Sequence, residues 1–307
     1  MTIDWTFAIR ATGLAAAFAL GACDKSAPPA PEAPPSASAA IATPQAAAKN
    51  TAVQISGSSA LQPLVNAAKE KYEAAHKEAS IEVSAGGSKK GIADVAAGAV
   101  QIGDSDIFAP ADVAGQLTDH KVAVVGFAAM ANKGPFNEKI PALTMADLAK
   151  IFQGTVTNWK DVGGQSQPIV VINRAPGSGT RAVFGNIVLG GDKFVESQTE
   201  DNSGALVAKL KQSKGAISYL ALSFVDPELK VFSLKGDAGA VEPGTASITT
   251  GGYPIWSYEH MFTKGAPNEA TKAFLDYMTS ADFQEQVLPT VKGFIPVTQM
   301  KTSRDKD

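Results

Sequence analysis

From residue 51 onward, short apolar runs alternate with stretches whose apolar positions recur every three to four residues. The runs at 51–57, 81–84, 100–103, 121–131, 168–173, 215–220 and 253–262 read as strands, since each is short and bounded by glycine or polar residues. Between them, Leu61, Leu64, Val65, Ala68 and Tyr72 keep helical spacing, as do Ile92, Val95 and Ala96. Helices are also predicted over 181–189 and 203–213. Two closing helices carry Ala273, Phe274 and Tyr277, then Phe283, Val287 and Leu288. Thr144 with Asp147 three positions later marks a capped helix start, and 154–164 reads as a loop. This alternation predicts an α/β fold with mostly parallel sheets flanked by helices. No repeat of fixed period stands out.

The turns between these elements carry the candidate chemistry. The run at 168–173 ends in Arg174-Ala175-Pro176-Gly177-Ser178-Gly179-Thr180, directly before a predicted helix. A strand, a small-residue turn and a helix start make an anion site. Backbone N–H groups converge in the turn, and the helix start adds unpaired donors and a positive dipole end. Ser178 and Thr180 add hydroxyls, and Arg174 adds a permanent fork-shaped cation. Three other turns share this arrangement: Ser56-Gly57-Ser58-Ser59-Ala60-Leu61, Gly86-Gly87-Ser88 and Gly103-Asp104-Ser105-Asp106. Any one of them is accounted for as a helix cap. Four at the carboxyl ends of strands in an α/β sheet point to one crevice.

The 307 residues suggest about two domains, and 45% hydrophobic content is enough for a core. A net charge of −3 gives no broad basic surface for nucleic acid, yet a local set of donors can still hold an anion. The single cysteine, Cys23, excludes a disulfide framework and a cysteine-rich zinc site. Arg10 precedes an apolar stretch at 11–20 that ends in Leu20-Gly21-Ala22-Cys23. The stretch is short for a bilayer crossing and matches an export signal with small residues at the cleavage point. Cys23 behind them resembles a bacterial lipobox cysteine. That resemblance implies a signal peptide over 1–22 and a lipid anchor on Cys23; a plain signal peptide with an incidental cysteine is the alternative. Asp24 resembles an inner-membrane retention signal of Gram-negative lipoproteins, which implies a periplasmic, membrane-anchored location. Residues 23–50, with six prolines among alanines and serines, read as a tether with no core of its own.

Together these segments resemble the phosphate-binding proteins of bacterial high-affinity phosphate ABC transporters, over about 52–297. The stretch from Gly57 to Leu64 is similar to the family's first loop, Gly87-Ser88 with Gly91-Ile92 to its second, Gly103 to Asp106 to its third, and Arg174 to Thr180 to its fourth. Gly154 to Lys160 and Gly215 to Tyr219 are also similar. The resemblance implies a two-lobed periplasmic-binding-protein fold (type II), with a hinge near 128–133 and 249–253. One lobe would comprise 51–130 and 250–307, the other 131–249. It implies phosphate contacts at Ser88, Asp106, Arg174, Ser178, Gly179 and Thr180, and first-loop contacts among Ser58, Ser59, Ala60 and Leu61. Ala60 stands where some relatives carry a threonine hydroxyl, leaving Ser58 or Ser59 to supply that donor. Asp104 stands where a small residue is commoner; a carboxylate beside an anion is repulsive, so it is expected to face solvent. The implied partners are phosphate and a membrane permease, with a monomer and no cofactor.

Asp106 has a use beside an anion. Protonated phosphate has a hydrogen to give, and a carboxylate accepts it in a short charge-assisted bond. Fully ionised sulfate has none and leaves the carboxylate unpaired and repelled. Arg174 compensates the carboxylate; a structural Asp106–Arg174 ion pair is the alternative. Other readings stay open: a binding protein for sulfate or molybdate, or a phosphate sensor or scavenger without a transporter. An enzyme is disfavoured. His76, His120 and His260 lack metal-ligand spacing, no Gly-x-Ser-x-Gly elbow occurs, and no acid pair divides acid and base roles. Gly177-x-Gly179-x-x-Ala182 fits a loose dinucleotide fingerprint, but it lies deep in the chain and beside Arg174. Trp159 and Trp256 are expected to pack rather than touch a ligand.

Overall fold

The structure, a computed structural model, describes residues 52–304 except Ala238. The predicted signal peptide, Cys23 and the proline-rich tether lie outside the described residues.

The strands are β1 (Ala52–Gly57), β2 (Ser80–Ala85), β3 (Ile102–Ser105), β4 (Leu117–Asn132), β5 (Ala142–Leu143), β6 (Val170–Arg174), β7 (Gln198–Glu200), β8 (Ala216–Ala221), β9 (Leu229–Val231), β10 (Ser233–Gly236), β11 (Gly239–Val241), β12 (Trp256–Lys264) and β13 (Phe294–Ile295). The helices are α1 (Gln62–Ala75), α2 (Ser88–Ala97), α3 (Ala111–Ala114), α4 (Pro135–Glu138), α5 (Met145–Phe152), α6 (Gly179–Phe184), α7 (Ser203–Gln212), α8 (Thr245–Thr249) and α9 (Glu269–Thr279). The predicted helix over 181–189 is α6 prolonged by a π-helical turn, Gly185–Leu189. Thr144 does cap α5, in a reciprocal bond with Asp147.

The main sheet runs β2-β1-β3-β12-β4-β8-β6-β7, with β9 and β13 each also paired to β4. β1 lies parallel to β2 and β3, and β6 lies parallel to β7 and β8. The two parallel regions are joined through antiparallel partners. β12 pairs β3 and β4, and β4 passes from one region to the other. Residues 117–126 of β4 face β12; residues 127–132 face β8 and β9. The fold is therefore α/β and two-lobed, with mixed pairing where the lobes share a strand.

The long apolar run of β4 follows from this position. Residues 122–131 are buried throughout, as expected for a strand covered on both faces. At the point where β4 changes partner, Phe127 N–H donates to Ile255 O (2.8 Å) and Tyr253 Oη donates to Phe127 O (2.9 Å). Strand β12 starts at Trp256, later than the sequence reading, because 253–255 form this junction.

Close approach of backbone sets up the ends of the parallel strands. Gly57 ends β1 at φ +140°, and a Cβ there would lie 2.1 Å from Asp104 O. A Cβ on Gly103 would lie 2.3 Å from Gly91 O, so α2 presses directly on β3. Behind β6, Tyr219 stacks on Phe184 (4.4 Å between centroids) and meets Phe152 edge-on (5.3 Å). This aromatic wall is rigid backing for Arg174, the last residue of β6.

Candidate anion site

The four turns meet. Gly86 and Gly87 N–H donate to Gly57 O (3.0 and 2.9 Å), Ser58 N–H to Asp104 O (3.0 Å), and Lys89 N–H reaches across to Gly177 O (3.1 Å). Ser58, Ser59, Ala60, Leu61, Ser88, Asp106, Arg174, Ser178, Gly179 and Thr180 are all buried. The residues predicted from four distant segments thus form one enclosed cluster.

Asp106 stands at its centre, fixed at every polar atom. Its N–H donates to Ser88 Oγ (2.9 Å), and its carbonyl accepts from Ser257 Oγ (2.7 Å). Ser58 Oγ donates to Oδ1, and Thr180 Oγ1 donates to Oδ2 (2.7 Å). Ser58 Oγ in turn accepts from Ala60 N–H (3.0 Å) and Leu61 N–H (3.4 Å). First-loop amides and a hydroxyl therefore converge beside a carboxylate, which is how donors gather around a small oxyanion.

Arg174 is 1% exposed. Its Nε donates to Glu200 O (3.2 Å), and its Nη2 to Asp201 O and Ser59 Oγ (both 3.1 Å). Nη1 is buried with no hydrogen-bond partner. The bonds go to neutral oxygens, so the alternative of a direct Asp106–Arg174 ion pair is not what the geometry holds. Burial lowers the Arg174 pKa, opposed first by the field of Asp106; a guanidinium is basic enough to stay a cation all the same. A buried cation with one unpartnered donor edge has the chemistry to receive an anion.

The fourth turn completes the enclosure. Ser178 Oγ accepts from Arg181 N–H (3.2 Å) and so caps α6. Gly179 follows, and a Cβ on it would lie 2.1 Å from Ser88 Oγ and 3.0 Å from Asp106 Cβ. Only a hydrogen fits between the lobes there.

One expectation is corrected. Asp104 does not face solvent; it is 1% exposed and Oδ1 has no hydrogen-bond partner. The sequence reading ended the strand at 103, whereas β3 continues through Ser105 between β1 and β12. Burial, then the nearby Asp106 charge, push the Asp104 pKa well above the usual carboxylate range.

Four supporting residues went unread in the sequence. Ser203, at the start of α7, donates its N–H to Ser59 Oγ (3.3 Å) and shares a hydroxyl bond with it (2.9 Å). Ser257 holds the Asp106 carbonyl. Tyr219 Oη accepts from Arg174 N–H (3.3 Å), and burial pushes its phenol up to about 12. Glu259 is an acid in a strand buried from Trp256 to Thr263, where an apolar residue is expected. That break in the pattern of β12 was the available signal. Among the histidines, His76 is exposed and His120 partly so, while His260 is buried and paired with Asp119 (2.7 Å). Among the described residues no group of three or more His, Cys, Asp or Glu is placed to hold a metal. Trp159 and Trp256 are buried packing residues; the Trp159 indole donates to Gly215 O (3.1 Å).

A family model described as a PBP superfamily domain matches residues 36–282. The chain is 44% identical over 255 residues to the phosphate-binding protein PstS of Bacillus subtilis, covering 82% of each. The chain belongs to the PBP superfamily, in the PstS family. A second PstS protein, from Staphylococcus epidermidis, is 27% identical over 237 residues, 72% of this chain and 71% of that one. Among solved PstS-like structures, a phosphate ABC transporter substrate-binding protein so described from Clostridium perfringens, with bound phosphate, superposes with a TM-score of 0.74. It is 29% identical and the match covers 80% of this chain and 99% of that one. A phosphate transport receptor from Vibrio cholerae, at 24% identity and a TM-score of 0.63, shares the PstS fold over 79% of this chain and 99% of its own. Among the described residues no helix is long and apolar enough to cross a membrane.

Proposed function

We propose that the protein binds inorganic phosphate between its two lobes and delivers it to the membrane permease of an ABC transporter. The lobes are 51–130 with 250–307, and 131–249. The observation that carries this reading is the buried Arg174 guanidinium, whose Nη1 is unpartnered in the field of the Asp106 carboxylate, itself held by Ser58 and Thr180. The names of the relatives support phosphate as the anion, and the bound phosphate of the Clostridium perfringens protein supports the enclosed site.

Arg174 Nη1, the Ser88, Ser58, Ser59, Ser178 and Thr180 hydroxyls and the amides of Ala60, Leu61 and Gly179 are the donors for phosphate oxygens. The Ser58 and Thr180 hydroxyls, which donate to Asp106, are free to rotate toward an entering anion. Asp106 then accepts the proton that phosphate carries and sulfate lacks. Contacts from both lobes favour the closed form, so ligand shifts an opening equilibrium. The hinge lies near 128–133 and 249–253, next to the place where β4 changes partner. The protein acts as a carrier and not as a catalyst. It works as a monomer outside the cytoplasm, tethered by a lipid on Cys23 through residues 23–50.

Calorimetry with phosphate and sulfate tests this directly. Phosphate is expected to bind on the order of a thousandfold more tightly than sulfate. Arg174→Ala is expected to lose about a hundredfold or more, because truncation leaves the Asp106 charge uncompensated. Equal affinity for the two anions, or an unaffected Arg174→Ala, would overturn the reading.

A further inference from the structure

Behind Asp106 lies a second layer of acid that anion binding does not explain. Glu259 of β12 is fully buried, and neither carboxyl oxygen has a partner of hydrogen-bond geometry. The antiparallel register pairs His260 with Ser105 and Met261 with Asp104. One further step brings Glu259 opposite Asp106, on the face that Asp104 also shares. Three carboxyl groups therefore crowd one buried spot, and the Arg174 cation acts on the middle one, Asp106.

We propose that Glu259 is a positioning residue for the anion site: it stands as a neutral acid and gives its proton in a hydrogen bond to the Asp106 carboxylate. This rests on the phosphate reading above. The charge arithmetic requires it. Three ionised acids against one guanidinium would leave two net negative charges where an anion must enter. With Glu259 and Asp104 neutral, Asp106 and Arg174 cancel, and the entering anion meets no net field.

The surroundings agree. Burial first, then the acidic neighbours Asp106 and Asp104, raise the Glu259 pKa well above the usual carboxylate range. The basic side chains nearby are engaged elsewhere. His260, next along β12, projects to the opposite face and pairs with Asp119. Lys121 of β4 lies over the rings of Tyr258 and Phe108. His120 of β4 bonds Thr263. Arg174 of β6 turns its bonds to Ser59, Glu200 and Asp201. Asp106 has acceptor capacity left for Glu259, because each carboxylate oxygen takes two hydrogen bonds and each has one side-chain donor.

Two substitutions test it. Glu259→Gln keeps the shape and a donor but cannot ionise; Glu259→Leu keeps the bulk and removes the donor. The first readout needs no ligand: urea unfolding of the wild type and Glu259→Gln from about pH 5 to about pH 8. A raised folded-state pKa means that the unfolded chain loses the proton first. The wild type is then expected to lose stability relative to Glu259→Gln as pH rises, by up to about tenfold in the unfolding constant per pH unit. Parallel curves would overturn the proposal, since they mean that Glu259 titrates alike in both states. The second readout is phosphate affinity at neutral pH. Glu259→Gln is expected within about threefold of wild type and Glu259→Leu at least about tenfold weaker. A loss in Glu259→Gln as large as in Glu259→Leu would overturn it as well. A wild type that binds no phosphate would sink the functional reading instead, and the unfolding curves would still decide where the proton sits.

Discussion

Alanine at position 179 isolates lobe closure from helix stability. Gly179 opens α6 with an ordinary φ, so alanine should not harm the helix and adds slightly to its propensity. The new Cβ, however, would lie 2.1 Å from Ser88 Oγ, against 3.4 Å or more for an ordinary contact. Ser88 cannot simply swing away, because its Oγ accepts the Asp106 N–H at 2.9 Å. Either the lobes stay apart, or a buried amide loses its partner. Overpacking and a lost buried hydrogen bond each cost about 1–3 kcal/mol. A combined penalty of about 2 kcal/mol or more corresponds to a ~30-fold or greater loss of phosphate affinity. Calorimetry measures the loss, with urea unfolding as the control for folding. Clipping Ser88 to glycine should relieve most of the overlap, so Gly179→Ala is expected to cost less than about threefold in a Ser88→Gly background. If Gly179→Ala binds phosphate within about threefold of wild type, the two lobes do not close on each other at this point, and the enclosed site is wrong.

Asp106→Asn is expected to narrow the ratio of phosphate to sulfate affinity toward about tenfold, mainly by strengthening sulfate; competition calorimetry reads it. Arg174→Lys is expected to lose about a hundredfold of phosphate affinity despite keeping the charge, because one ammonium cannot serve Glu200, Asp201, Ser59 and the anion together; the same titration checks it. Tyr219→Phe leaves the Arg174 N–H without its acceptor and is expected to lower stability by about 1–2 kcal/mol, measured by urea unfolding. Ultraviolet titration should find the Tyr219 phenol neutral until about pH 12, well after an exposed tyrosine has ionised. Its raised folded-state pKa means that stability falls as pH climbs from the ordinary 10.0 toward that value.

Much of the site was legible because its residues break local rules. Small residues and hydroxyls at strand ends, and an arginine directly before a helix start, have few structural uses in common, so four such turns could be assigned to one crevice. The α/β class was legible for the same reason that β4 and β1 fold as they do: their apolar runs are too short and too continuous for surface helices. What stayed hidden is what depends on pairing across the chain. Nothing local tells that β4 serves both lobes, because a strand's partners are chosen by the whole sheet. Asp104 was misplaced because an acid at the end of an apolar run reads as a turn residue; only the neighbours β1 and β12 make it a strand interior. Ser203 and Ser257 join the site through contacts spanning 144 and 151 positions. Glu259 carried a signal, an acid amid buried strand residues, but its neighbour Asp106 appears only through the register of β12 on β3.

Crystals of the protein grown with phosphate and solved at high resolution test the central claim most directly. The account expects the anion enclosed between the lobes, with Arg174 Nη1 on one oxygen and an Asp106 carboxylate oxygen about 2.5–2.7 Å from another, the short contact of a shared proton. Phosphate bound elsewhere on the surface, with neither Arg174 Nη1 nor the Asp106 carboxylate in contact with it, would contradict it.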